Sequence, residues 1–239
     1  MKTLIFGAGP LGSLYAHLLH KAGRDVTILA RGERYRSILA EGLVLVNEMT
    51  GEKERSEVGA VDSLGPGDEY DLAVVLIRRN RLGPVFETLA GCAGIKSILF
   101  MGNNALGFEE YTRALPAERL LFGFPAAGGG LSGQVVHYAD VEKAGGKRRP
   151  VTIGEIGGET RERTLAVKGL FEFAGVSVDI TSDMDGWLKY HVALVSPLAN
   201  ALIGHGCDCG ALAADSAAMR MVVKAAKEGG DVLKALGYR

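Results

Sequence analysis

The sequence predicts an α/β fold with a mostly parallel sheet, followed by a short, incomplete all-helical C-terminal domain. Three features predict it. Apolar runs of strand length alternate with stretches of helical spacing through most of the chain. A glycine-rich turn joins the first run to the first helical stretch. After Met184 the strand patterns stop, and alanine-rich helical stretches follow. We therefore place the α/β domain over residues 1–181 and the helical domain over residues 182–239.

Composition and charge exclude several classes of function. The chain has 239 residues, 47% of them hydrophobic and 23% charged, which is an ordinary globular balance. Its formal charge of -1 provides no basic field for nucleic acid or anionic lipid. The longest weakly polar stretch, residues 192–204, is shorter than the roughly 20 residues of a membrane span. We expect no nucleic-acid or membrane partner.

Cysteine usage and the N-terminus predict the compartment. Three cysteines do not make a disulfide framework in a chain of this length. The N-terminus runs directly into a strand pattern, without the basic and apolar segments of a secretory signal. We therefore expect a cytoplasmic protein.

The segment GAGPLGSLYAHLL predicts a dinucleotide site. It carries a GxGxxG pattern between the strand TLIFG (3–7) and a helical stretch, and the strand DVTILA (25–30) follows. This is the βαβ unit of a Rossmann-type domain, in which the phosphates bind at the helix N-terminus. The alternative is that the glycines serve packing alone. The predicted cofactor-binding residues of this segment are Gly7, Ala8, Gly9, Pro10, Leu11 and Gly12.

The end of the second strand distinguishes NAD from NADP. An NAD site would carry an acidic residue there to accept a hydrogen bond from the ribose 2′-hydroxyl. This chain reads LARGERYR, with Arg31 at the strand tip. A guanidinium offers paired donors to a 2′-phosphate, so the sequence favours NADP. Arg34 and Arg36 fit a solvated charged loop better than Arg31 does.

The other elements of the α/β domain follow in order. Residues 42–60 predict a hairpin around Thr50, and residues 117–139 predict a strand, a glycine-rich loop and an edge strand. The loop GFPAAGGG either wraps the nicotinamide side of the cofactor or is a flexible turn. The remaining predicted elements are strands over 70–77, 96–103, 150–156 and 176–182 and helices after Pro84 and over 162–175.

The first helix after the domain boundary carries the candidate proton donor. Lys189 shares a helix face with Ala193, Ser196 and Asn200, among mostly apolar neighbours. Partial desolvation there would lower the lysine pKa toward neutrality. The ammonium could then protonate a ketone oxygen as hydride arrives at the carbon. The alternative is a solvated surface lysine.

Four segments, in order and spacing, resemble the ketopantoate reductase (2-dehydropantoate 2-reductase) family over essentially the whole chain: GAGPLGSLYAHLL, LARG, NNALGFEE and DGWLKYHVALVSPLANAL. The resemblance implies NADPH-dependent reduction of a 2-oxo acid, ketopantoate to pantoate or a related substrate, as in pantothenate biosynthesis. It implies that Lys189 is the general acid, that Arg31 holds the 2′-phosphate and that Asn104 lines the nicotinamide–substrate cleft. Arg78 falls where family members often carry a lysine near the cofactor.

Two departures from the family pattern indicate an altered substrate. Ala193 and Ser196 stand where the family carries asparagines that seat the substrate. A site built on amide hydrogen bonds discriminates strongly between ligands, so losing amides changes its preference. Asn200, on the next turn, is a candidate replacement. The predicted substrate-binding residues are Asn104, Lys189, Ser196 and Asn200.

A third departure concerns the helical domain. Family members continue beyond KALGYR with helices that carry a carboxylate and a serine for the substrate. An incomplete helical domain would expose apolar faces, which favours a homodimer.

Two alternative functions differ from a ketopantoate reductase. One is an NADP(H)-binding protein without turnover, and the other is a reductase or opine-type dehydrogenase with a different substrate. The segment HGCDC (205–209) contains three potential zinc ligands but lacks a fourth at a recognisable spacing. We therefore predict no metal there, and a loop with buried thiols.

Overall fold

The computed structural model describes residues 1–139 and 149–238 in full and residues 142–143 and 147–148 as backbone. Their contacts divide the chain into two compact units, each described by itself below. The first unit comprises Met1–Gly102 and Phe108–Met184. The second comprises Asn103–Gly107 and the chain from Asp185 onwards. The short Asn103–Gly107 loop was not predicted to belong with the C-terminal helices.

With few exceptions, the strands and helices occur in the predicted order. The strands are β1 (Thr3–Phe6), β2 (Val26–Leu29), β3 (Leu43–Asn47), β4 (Lys53–Ser56), β5 (Gly59–Val61), β6 (Tyr70–Val75), β7 (Ile95–Met101), β8 (Leu120–Phe124), β9 (Gly128–Ser132), β10 (Val135–Ala139), β11 (Glu142–Lys143), β12 (Lys147–Arg148), β13 (Val151–Gly154) and β14 (Val178–Ile180). The helices are α1 (Pro10–Lys21), α2 (Gly32–Glu41), α3 (Gly83–Ala90), α4 (Glu109–Ala114), α5 (Glu162–Phe173), α6 (Met184–Gly204), α7 (Cys209–Ala214) and α8 (Ser216–Ala235).

An eight-stranded sheet forms the centre of the first unit, in the order β14-β13-β8-β7-β6-β1-β2-β5. Its described neighbours pair in parallel, apart from the antiparallel pair β13–β8. All four residues of β1 are buried, as are five of the six in β6. Apolar strands buried throughout are typical of a parallel sheet covered on both faces. The predicted Rossmann-type α/β fold is confirmed.

A smaller sheet, in the order β4-β3-β10-β9, also packs against α1, which in addition contacts β1 and β2 of the large sheet. Helix α1 therefore contacts both sheets, and seven of its residues are buried. This sheet corrects two predictions. β10 is an interior strand between β3 and β9 rather than an edge strand, and the predicted glycine-rich loop contains the edge strand β9. A glycine-rich segment carries no periodic pattern by which a strand could be recognised.

The charged segment after Arg31 is helix α2 rather than a loop. A single residue of this helix, Ile38, is buried, so its apolar pattern is weak. Helix α4, which has one buried residue, was not predicted for the same reason.

The two predicted helical stretches of the second unit correspond to α6 and α8, whereas the short helix α7 between them was not predicted. The side chains of Asp208 and Asp215 accept hydrogen bonds from the first backbone N–H groups of α7 and α8. Cys207 and Cys209 are exposed, so the predicted buried thiols are wrong. Within the described ranges, no group of three or more His, Cys, Asp or Glu side chains is arranged for a metal ion. None of the described helices combines the length and apolar character of a membrane span.

A buried histidine joins α1 to the β3–β4 hairpin. His17, 1% exposed, lies with Nδ1 2.7 Å from Ser56 Oγ and Nε2 3.1 Å from Glu54 Oε2. The Lys21 ammonium pairs with the same carboxylate. A neutral imidazole that donates from Nε2 and accepts at Nδ1 satisfies both contacts. Burial lowers the pKa of His17 below the ordinary 6.5, although Glu54 acts in the opposite direction.

We predict that this histidine makes stability depend on pH. Because its pKa is lower in the folded chain, the unfolded chain takes up the proton first, and the free energy of unfolding falls as pH drops below 6.5. His17→Gln should cost about 1–3 kcal/mol at about pH 8 and flatten the decline toward about pH 5. Urea unfolding at both pH values measures this. Parallel pH curves for the two proteins would contradict the assignment.

Candidate functional site

The glycine pattern lies in the loop between β1 and α1, and each glycine has a separate reason to be there. Gly7 has a φ of +114°, in the region that favours glycine, and a Cβ there would lie 2.6 Å from Ile77 Cδ1. A Cβ on Gly12 would lie 1.8 Å from the Gly7 carbonyl oxygen. A Cβ on Gly9 would meet nothing among the described residues within 4 Å. Packing therefore explains Gly7 and Gly12, whereas Gly9 faces open space.

The N-terminus of α1 is suited to an anion. Its first intrahelical hydrogen bond runs from Ser13 N–H to the Gly9 carbonyl at 2.9 Å, so the N–H groups of Leu11 and Gly12 precede it. Pro10 has no N–H, Gly9 has no side chain to cap the helix, and the first turn carries no acidic residue. The positive end of the helix dipole and the backbone N–H groups thus meet beside Gly9.

A groove of about 880 Å³ opens at this loop. One wall is the end of β2 and the start of α2, another is the segment after β6, and the third is the turn between β9 and β10. The size suits a large ligand with separate polar groups. The polar side chains that line it are Arg31, Glu33, Arg34, Asn80, Arg81 and Gln134.

Arg31 and Arg78 occupy different places relative to this groove. Arg31 is exposed, directly precedes α2 and lines the groove. Arg78 is exposed but is not among the lining residues, whereas Asn80 and Arg81 are. The sequence signal for Arg81 is the run RRNR (78–81), which two residues separate from the end of β6. Glu33, also missed, places a carboxylate two residues beyond Arg31 in the same groove.

The surroundings of Arg34 differ from those that the sequence predicts. It is half-buried rather than solvated. Its Nε donates to the Ala8 carbonyl at 3.2 Å, Nη1 to the Gln134 carbonyl at 2.5 Å, and Nη2 to Ser13 Oγ at 2.9 Å. The partners lie on the glycine loop, on α1 and in the β9–β10 turn. All three are far from Arg34 in sequence. Burial lowers the pKa of the Arg34 guanidinium.

Lys189 lies in the second unit with its side chain 14% exposed. Its ammonium pairs with Asp185, one turn earlier on α6, and lies 4.6 Å from the ring centroid of Tyr238. The Tyr238 hydroxyl donates to Asp185 Oδ2 at 3.0 Å. Burial acts to lower the lysine pKa, but hydrogen bonding to Asp185 and Tyr238 and the Asp185 charge outweigh it and raise the pKa. The predicted lowering is wrong, and Lys189 is held as a cation.

The predicted substrate residues of the second unit have different surroundings. Asn104 is 4% exposed, with its amide N–H donating to the Gly107 carbonyl at 2.7 Å and its oxygen accepting from Leu106 N–H at 3.1 Å. Both ends of this side chain thus stabilise its own loop. Ser196 and Asn200 are exposed on α6.

Ala193 lies where α8 packs closely against α6. A Cβ on Gly229 of α8 would lie 3.1 Å from the Ala193 Cβ. Two small residues therefore permit the close approach of these helices.

A mostly parallel sheet with a glycine turn, a free helix N-terminus and a basic strand tip defines a nucleotide-binding Rossmann-type protein. The model of the family described as "Ketopantoate reductase PanE/ApbA" matches residues 3–156. The chain belongs to this family, whose members depend on NAD(P)H.

Individual relatives agree with this assignment. The chain is 28% identical to the 2-dehydropantoate 2-reductase of Mesorhizobium japonicum, over 79% of this chain and 63% of the relative. It is 28% identical to that of Pyrococcus horikoshii, over 84% of this chain and 62% of the relative. The chain thus spans less than two thirds of the length of these relatives. A structure of D-mandelate dehydrogenase with NADH and anilino(oxo)acetate shares the fold, with a TM-score of 0.80 and 20% identity over 100% of this chain and 75% of that one.

Substitutions of two glycines in this loop should distinguish a role in packing from a role in ligand binding. Gly12→Ala should lower the melting temperature, because the added methyl collides with the Gly7 carbonyl. Gly9→Ala should leave the melting temperature nearly unchanged but weaken NADPH binding about tenfold or more, because its methyl enters the space expected for the pyrophosphate. Thermal unfolding and calorimetric titration measure the two effects. Unchanged NADPH affinity in Gly9→Ala would contradict the location of the phosphates.

Proposed function

We propose that the chain binds NADPH and reduces a 2-oxo acid to a 2-hydroxy acid, with ketopantoate or a related compound as substrate. The observation that carries the proposal is the groove itself, where the glycine loop, the α1 N-terminus and Arg31 meet. Backbone N–H groups at the loop would bind the pyrophosphate, and Arg31 would hold the 2′-phosphate. When bound, NADPH supplies the hydride.

Lys189 is the proposed general acid. Hydride arrival at a carbonyl carbon leaves negative charge on the oxygen, and a proton from Lys189 Nζ completes the alcohol. The Asp185 contact supports this role, because it keeps the lysine in the protonated form that can donate. Asn104, Ser196 and Asn200 remain the predicted substrate contacts on this unit.

A reductase with another substrate is the second candidate. It is favoured by Ala193, which packs against Gly229 where the family carries a substrate-seating asparagine. The similarity in fold to D-mandelate dehydrogenase, a protein solved with NADH and anilino(oxo)acetate, also supports a different substrate. An NADP(H)-binding protein without turnover is the remaining alternative.

NADPH is proposed over NADH because Arg31 stands at the strand tip. Glu33 in the same groove could instead accept a hydrogen bond from a ribose 2′-hydroxyl. The two side chains favour opposite cofactors, which makes Arg31 the residue to test.

We also propose that the chain forms a homodimer in the cytoplasm. The unpaired cysteines fit a reducing compartment. Large apolar side chains of the helical unit are exposed and would be covered by a second copy. They are Leu194, Leu198, Ile203, Met221, Val223, Val232 and Leu236.

The cofactor assignment predicts a selective loss. Arg31→Ala should weaken NADPH about 10- to 100-fold and NADH by less than about threefold, because only NADPH carries the phosphate. Arg36→Ala, an exposed change of equal charge on α2, is the matched control and should change neither affinity by more than about threefold. Equal weakening of both cofactors by Arg31→Ala would remove the 2′-phosphate assignment.

The proton-donor assignment predicts a loss of turnover without a loss of cofactor. Lys189→Met should lower kcat about 10²- to 10⁴-fold for the best substrate in a panel of 2-oxo acids that includes ketopantoate, with NADPH affinity kept. Lys227→Met, an exposed lysine change on α8, is the control. Wild-type kcat in Lys189→Met would exclude the role. Tight NADPH binding with no turnover of any oxo acid by the unchanged chain would favour the non-catalytic alternative.

A further inference from the structure

Arg34 lies at the junction of three parts of the cofactor groove. Besides the contacts already described, its Nη1 lies 3.4 Å from Gln134 Oε1. Four of the five N–H donors of the guanidinium thus have partners among the described residues, and one Nη2 donor is left. All of these partners are neutral carbonyl or hydroxyl oxygens.

The guanidinium is therefore a half-buried cation without a carboxylate partner among the described residues. Such a charge is costly to desolvate unless an anion faces it. Desolvation by burial lowers its pKa, and no carboxylate interaction in the described part of the chain offsets that lowering. Arg34 lines the same groove as the glycine loop that precedes α1.

We propose that Arg34 is a positioning residue of the dinucleotide site whose counter-ion is the pyrophosphate of the cofactor. This rests on the proposed binding of NADP(H) in the groove. Arg34 contacts Ala8 and Ser13, which flank the N-terminus of α1, so its charge belongs with the pyrophosphate rather than with the 2′-phosphate near Arg31. The two arginines therefore serve different phosphates.

The same side chain holds the outer wall of the groove in place. Its contact to the Gln134 carbonyl fixes the β9–β10 turn, which contributes Gly133 and Gln134 to the groove beside Leu131 of β9. Strand β9, which precedes the turn, passes close to the start of α1, since a Cβ on Gly129 would lie 3.3 Å from the Pro10 Cβ. Arg34 thus preorganises the turn and the loop around one ligand.

Calorimetric titration of the full chain with four probes tests this assignment: NADPH, NADH, ADP-ribose and 2′-AMP. The first three carry the pyrophosphate, whereas 2′-AMP carries only the 2′-phosphate. Arg34→Ala should weaken the first three alike, about 10- to 100-fold, and 2′-AMP by less than about threefold. Arg31→Ala should instead weaken NADPH about 10- to 100-fold and NADH by less than about threefold. Arg36→Ala should change none of the four.

Arg34→Lys is a second variant that tests the same assignment if Arg34→Ala does not fold. A lysine retains the charge but cannot bridge the loop and the turn, so NADH and ADP-ribose should weaken about three- to tenfold. Wild-type affinity for NADH in either variant would overturn the inference, as would equal loss of 2′-AMP and NADH with a lowered melting temperature. If the unchanged chain bound none of the probes, the proposed function itself would fail.

Discussion

The contact between Gly12 and the Gly7 carbonyl is the constraint on which the rest of the first unit depends. A side chain at residue 12 would collide with that oxygen, so only glycine lets α1 start directly behind β1. The same closeness buries one face of α1 on the sheet and leaves its first N–H groups at the carboxyl end of β1. The position of these N–H groups and the packing of the helix both follow from the short distance between residue 12 and the Gly7 carbonyl.

The second sheet extends this arrangement. It also contacts α1, and His17 joins the helix to Ser56 and Glu54 of this sheet. Its β9–β10 turn forms a wall of the cofactor groove, and Arg34 ties that turn to the glycine loop. A helix in contact with two sheets has little freedom to shift, so the proposed phosphate site at its N-terminus is preorganised.

The sequence predicted the features that depend on residues close together in the chain. The strand–glycine–helix order, the buried apolar strands and the alanine-rich helices could all be read from local patterns. The roles of Arg34 could not, because Gln134 lies far along the chain, and β9 has too few side chains to show a strand pattern. For Lys189, Asp185 stands one turn away and was readable, but Tyr238 was not. Predicting its pKa from apolar neighbours alone therefore gave the wrong sign.

The close approach of α6 and α8 at Ala193 and Gly229 limits which residues can replace Ala193. A larger side chain at position 193 that pointed toward α8 would have to displace it or be matched by a compensating change in it. A single substitution is therefore a poor route back to the amide found in other family members. Ser196 and Asn200, the proposed substrate contacts, have exposed side chains that can be replaced without repacking the two helices.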